Sequence, residues 1–173
     1  RAYRVPVHTY GFGTDSPVTD GQAATETTLK GLMASLAGAD LLSGAGMVES
    51  INGFSLIQLL VDNNLAGILR RVNKGVKVDD DTLAGEEILK TDPGGHFLES
   101  THTLAHCREA LRPKLFIHKE WEFWNTEGRK NLYARALDEY KLLKRNLQPK
   151  PLPEDVRKEM NLILKKADEK LVK

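Results

Sequence analysis

The 173-residue chain is short of cysteine and aromatic residues and has no excess of charge. Cys107 is the only cysteine, so no internal disulfide can form, and a reducing, cytoplasmic setting is the expectation. The 25 basic and 24 acidic residues leave a formal charge of +1. So close a balance makes no electrostatic case for nucleic acid or for an anionic membrane. No apolar run approaches the ~20 residues a membrane helix needs. No signal peptide opens the chain, which starts with Arg1 and not with Met. No repeat or low-complexity tract is present.

The chain does contain a two-beat rhythm. Residues 5–10 (VPVHTY) and 40–43 (DLLS) are short β-favouring runs, and a long helical pattern follows each. The first run reads as a buried strand. Gly11, Gly13, Asp15, Ser16 and Pro17 make a loop, Thr19 or Asp20 can cap a helix, and Gly38 suits its C-cap. A second helix runs from near Asn52 to Gly75. This is the pattern of βα units in a parallel sheet, an α/β class. The second half is helical. An acidic cap at 79–81 precedes one helix, a helix over 101–111 stops at Pro113, and 131–147 and 154–171 are amphipathic. Trp121 and Trp124 share a helix face as packing anchors. The division falls into 1–75, two βα units, and 76–173, a helical extension. Two parallel strands are too few to be buried on both faces. The chain also opens almost directly into a strand, so it reads as one segment of a larger protein.

The wording of the first half is specific. TDGQAATET, LAGAD, GAGMVES and LLVDNN, with PGGHFL, HTLAH and the late tryptophans, resemble the C-terminal part of the trimethylamine:corrinoid methyltransferase superfamily. The resemblance covers nearly the whole chain. It implies the last two βα units of a (β/α)₈ barrel followed by a C-terminal helical tail. It also implies transfer of a methyl group from an amine to the Co(I) corrinoid of a partner protein, giving methyl-Co(III). In the trimethylamine enzymes the loop after the first of these strands carries pyrrolysine, flanked by a Gly two residues before and an Asp two residues after. Gly11 and Asp15 keep those flanks, and Gly13 stands at the special position. That departure points to the branch without pyrrolysine, whose donors are quaternary amines such as glycine betaine.

The implied chemistry accounts for the absence of a catalytic constellation. A quaternary nitrogen leaves as a neutral tertiary amine, so the protein needs no nucleophile, general acid or metal of its own. It must align the N–CH₃ bond and exclude water. No cofactor is expected to be tightly bound. Aromatic faces and carboxylates hold such cations, which makes Tyr10, Phe12, Gly13 and Glu49 candidate substrate contacts. Glu49 has a competing role, capping or pairing at the start of the next helix. His8 could reach a substrate carboxylate or be a satisfied core histidine. Gln22 and Glu26, four apart on one helix face, are placed with Asp15 behind the loop as braces. Asp62, Asn63 and Asn64 are expected to tie helix to loop.

Two other motifs are weaker. His102 and His106 sit four apart, with His96 and Cys107 nearby, but no general base is placed as in H-E-x-x-H, and packing is preferred to zinc. Gly44-x-Gly46 lacks the third glycine of a dinucleotide loop, since Glu49 stands there. A competing class remains, a segment without activity of its own that only associates, as a homo-oligomer through exposed strand edges. A different chemistry on the same scaffold is a third option.

Overall fold

A computed structural model describes residues 3–171. They fall into two compact units that divide between Tyr140 and Lys141.

The first unit holds β1 (His8–Tyr10), α1 (Gly21–Leu36), β2 (Leu41–Ser43), β3 (Met47–Val48), β4 (Gly53–Phe54) and α2 (Leu56–Lys74). The short helices α3 (Asp80–Leu83), α4 (Gly85–Lys90), α5 (Thr101–His106) and α6 (Trp121–Thr126) follow, then α7 (Leu132–Asn146), whose last turns belong to the second unit. β1 and β2 pair in parallel, His8 opposite Leu41 and Tyr10 opposite Ser43. The βα reading is right in kind here: α1 is the crossover between two parallel strands. β3 and β4 form an antiparallel hairpin that the sequence reading did not foresee. Each of its strands is two residues long, too short for alternation to register.

Local signals set the helix ends. The Asp20 carboxylate accepts from Ala23 N and starts α1. α1 closes at Ala37, one residue before Gly38, which takes the positive φ. α2 starts at Leu56, where Ser55 caps it, and stops at Gly75. Along α2, Ile57, Val61, Leu65 and Leu69 recur every fourth residue, and all four are buried. They form the core with Phe12, Leu115 and Ala136.

Several expectations change. Residues 5–10 do not form a buried strand. Only 8–10 pair, and Val5, Val7 and Tyr10 are 62%, 44% and 60% exposed. The reason is that β1 has β2 as its only strand partner among the described residues. The helix after the acidic cap is two helices, because Ala84 adopts a left-handed conformation (φ +52) that ends α3 and opens α4. α5 ends at His106, where Cys107 N bonds Thr103 O, and does not continue to 111. Trp121 and Trp124 stack on each other, ring centres 4.9 Å apart, and neither joins the core. Leu115 does, at 3% exposure.

The second unit, Lys141–Lys173, contains α8 (Glu154–Leu171), preceded by Pro149, Pro151 and Pro153. No described residue of α8 is buried. No helix of the described residues is long and apolar enough to cross a membrane.

Candidate functional site

The loop after β1 is held by its backbone. Gly11 N and Phe12 N both donate to Ser43 O, at 3.2 and 3.0 Å, which carries the strand pairing past Tyr10. Residues 14–16 then lie along the β3–β4 hairpin. Thr14 N donates to Met47 O (3.2 Å), Ser50 N to Thr14 O (3.1 Å) and Glu49 N to Ser16 O (2.9 Å). The hairpin turn has an unusual backbone. Glu49, Ser50 and Ile51 have φ of +53°, +50° and +70°, three consecutive non-glycine residues in the left-handed region. Each costs roughly 1–2 kcal/mol in that conformation. Such strain collects at functional sites, where surrounding bonds enforce it.

Between the loop and the turn lies an open hollow of ≈ 300 Å³. Tyr10, Phe12, Gly13, Thr14 and Asp15 line one side, and Lys30, Ser50 and Ile51 complete it. Tyr10 is largely exposed, while Phe12 is buried and belongs to the core as well. Asp15 Oδ1 accepts from Ser50 Oγ at 3.0 Å and so links loop and turn.

α1 fixes this loop from behind through Glu26. Its Oε2 accepts from Asp15 N at 2.9 Å and from Thr14 Oγ1 at 3.0 Å, and its Oε1 accepts from Gln22 Nε2 at 2.8 Å. The bond from Asp15 N, then those from Gln22 and Thr14, with Lys30 nearby, hold the Glu26 carboxyl down at about 2. Lys30 Nζ pairs with Glu26 (3.6 Å) and donates to Gly13 O (3.2 Å), so its charge is engaged within the loop.

Two glycines are required here for different reasons. Gly13 has φ +102°, a conformation that disfavours a side chain, although a Cβ there would meet only Met47 Cβ at 3.6 Å and Gly44 O at 3.7 Å. Gly44 has no room: a Cβ would lie 2.5 Å from Phe12 O.

Of the candidate residues, Tyr10, Phe12, Gly13 and Asp15 come together around the hollow, and Gln22 and Glu26 stand behind it. His8 does not line it. It is exposed, not a core histidine, and its Nε2 bonds Ser43 Oγ at 2.8 Å. Glu49 belongs to the strained turn, but its carboxylate lies beside Gly53 and not in the hollow. Nor does it cap α2, which Ser55 does. Thr14 lines it as part of the loop after β1, whereas Lys30, Ser50 and Ile51 were not anticipated. Lys30 had a signal, since Gln22, Glu26 and Lys30 repeat at four-residue spacing on α1. The turn residues had none.

A second polar group lies below. Asp62, fully buried on α2, accepts from Gly46 N and from Gln58 Nε2, both at 2.8 Å. Burial pushes its carboxyl up from the ordinary aspartate range, against the lowering effect of those bonds. The Oε1 of Gln58 is buried without a partner. Asn64 accepts from Leu115 N at 3.1 Å and so docks the later chain onto α2. A larger hollow of ≈ 730 Å³ opens at the other end of the strands, lined by Val5, Pro6, Val7, Ala34 and Ala37 among others. Its one carboxylate, Asp40, is engaged by Val7 N at 2.8 Å. It gathers uncovered apolar groups and no set of groups that could do chemistry.

Residues 1–171 match the family model described as trimethylamine methyltransferase (MTTB). The chain is 35% identical over 167 residues to the trimethylamine methyltransferase MttB of Desulfitobacterium hafniense, covering 96% of this chain and 34% of that protein. It is 33% identical over 166 residues to the MttB of Methanosarcina barkeri, again 96% and 34%. It is 34% identical over 129 residues to the glycine betaine methyltransferase of Desulfitobacterium hafniense, covering 73% of this chain and 27% of that protein. The chain thus spans about a third of the length of these curated relatives. With the match running over almost every residue, the chain belongs to the trimethylamine methyltransferase family.

Proposed function

We propose that this chain is the C-terminal portion of a (β/α)₈-barrel methyltransferase that moves a methyl group from a quaternary, betaine-type amine to the Co(I) corrinoid of a separate protein. The observation that carries the reading is Gly13. It stands where the resemblance puts pyrrolysine in the trimethylamine enzymes, and its φ of +102° suits a residue with no side chain. The hollow beside it offers the exposed Tyr10 ring and the Asp15 carboxylate, a pair that suits a bulky cation. Lys30 does not oppose that charge freely, because Glu26 and Gly13 O engage it. One relative is named a glycine betaine methyltransferase, which agrees with a quaternary donor.

The electron count needs no acid or base from the protein. A partner protein's Co(I) corrinoid would supply the electron pair for the new bond to carbon. The N–CH₃ pair stays on nitrogen, which leaves as a neutral tertiary amine. The residues here bind, orient and keep water away. The barrel reading is supported by the apolar groups left bare just before β1 and on β2, Val5, Val7 and Leu41 among them, which the rest of a parallel sheet and its helices would cover. Those same groups also favour a second reading, in which these residues alone act only by association.

The test uses the full-length polypeptide, held without oxygen, with free cob(I)alamin and a panel of betaines and methylamines, following loss of the Co(I) absorbance. Methylation by a quaternary amine and none by trimethylamine supports the proposal. A folded protein inert to every quaternary amine sinks it.

A further inference from the structure

We propose that Asp81, His102 and His106 form a binding site for a divalent transition-metal ion, with Zn(II) best suited to its donors, which ties α3 to α5. The sequence pairs His102 with His106 four residues apart, and α5 stacks their rings with centres 4.3 Å apart. The third ligand is not His96. The fold brings in Asp81 from α3, twenty-one residues before His102, and one donor atom from each of the three lies within 4.8 Å of the others.

The separations suit a metal. Four donors at 2.0–2.1 Å around a tetrahedral zinc stand about 3.3 Å from one another. His106 Nε2 and Asp81 Oδ2 are 3.5 Å apart. Each imidazole is also oriented through another contact, the arrangement expected around ligating histidines. His106 Nδ1 bonds the Glu109 carboxylate at 3.0 Å, and His102 Nε2 donates to Asp81 O at 2.7 Å. The donors are two imidazoles and a carboxylate, which favours zinc and its neighbours over magnesium or calcium. An adjoining hollow of ≈ 420 Å³ leaves room for water to complete the coordination.

The segment is held by polar contacts such as Ser100 Oγ to Glu87 Oε2 at 2.8 Å, and not by a core. No residue of α3, α4 or α5 is buried, and Leu83 and Leu104 are 58% and 76% exposed. Short helices with so little core are commonly held by a metal cross-link. The plain alternative is an ion pair between His106 and Asp81 with no metal.

The experiment titrates the chelator-stripped chain with ZnCl₂ by calorimetry and repeats the titration with CoCl₂, reading the visible bands of bound Co(II). One ion per chain is expected. His102→Ala and His106→Ala should each weaken binding at least tenfold, Glu109→Gln by about 10–100-fold, and His96→Ala not at all. X-ray absorption of the zinc-loaded, unmutated chain counts the imidazoles independently of whether any variant folds. Two imidazoles with oxygen neighbours support the site. No saturable binding, undiminished binding in a folded double-alanine variant, or fewer than two imidazoles would overturn it.

Discussion

The surroundings of Glu26 and of Asp62 act on their carboxyls in opposite directions. The Glu26 carboxyl is held at about 2, below its ordinary 4.5. A depressed acid contributes stability that is full above its unfolded pKa and is lost as pH falls through the folded one. Glu26→Gln should therefore flatten the loss of stability between about pH 4.5 and 2, measured by urea denaturation across that range. It should also loosen the 14–15 loop and, in the methyl transfer proposed for the full-length polypeptide, slow the reaction by about tenfold or more, since small misplacements near a reacting bond are costly. Asp62 is raised above its ordinary 3.8. Its contribution is full below 3.8 and is lost as pH rises through the folded pKa. Asp62→Asn should then cost under about 1 kcal/mol at neutral pH, because the unpartnered Gln58 Oε1 can accept from the new amide after a side-chain flip. Asp62→Leu leaves Gly46 N and Gln58 unpaired and should cost about 3 kcal/mol, read from the same denaturation curves.

At the scale of elements, α2 supplies most of the buried core and the short pieces hold the site. Leu115→Ala should cost about 2–5 kcal/mol, and Asn64→Ala about 1–3 kcal/mol from the unpaired Leu115 N. Thermal unfolding of the two variants distinguishes these from surface changes. α1 and α2 were legible because four-residue spacing, Asp20 and Gly75 are local signals that packing did not override, but the start of α2, read near Asn52, lies at Leu56, where Ser55 caps it. The parallel pairing of β1 with β2 was legible for the same reason. The hairpin was not, because two-residue strands carry no period and its turn uses Glu, Ser and Ile where glycine would announce a left-handed backbone. Asp81 was invisible beside His102 and His106 because only folding brings α3 to α5. The loop after β1 was readable from its glycines, whereas the partners that shape it, Ser50 and Lys30, are distant in the chain.

For the molecule as a whole, the first unit leaves many apolar groups uncovered. Val5 and Val7 before β1, Leu41 on β2, and Leu29, Met33 and Leu36 on α1 are all exposed. The 173-residue chain alone should bind an apolar dye such as anilinonaphthalene sulfonate, and the full-length polypeptide at equal concentration should bind far less. In hydrogen exchange, the amides of 5–10 should likewise be slower in the full-length protein than in this chain. Equal dye binding and equal exchange in both would remove the case for further strands beside β1. Gly13 has a consequence for how such proteins can change over time. Placing any side chain there is a single codon away, but the backbone at φ +102° resists it, and relaxing that angle would pull on the bonds from Lys30 to Gly13 O and from Thr14 to Met47 O. A side chain at position 13 would therefore require the loop, its lysine tether and the neighbouring hairpin to be rebuilt together.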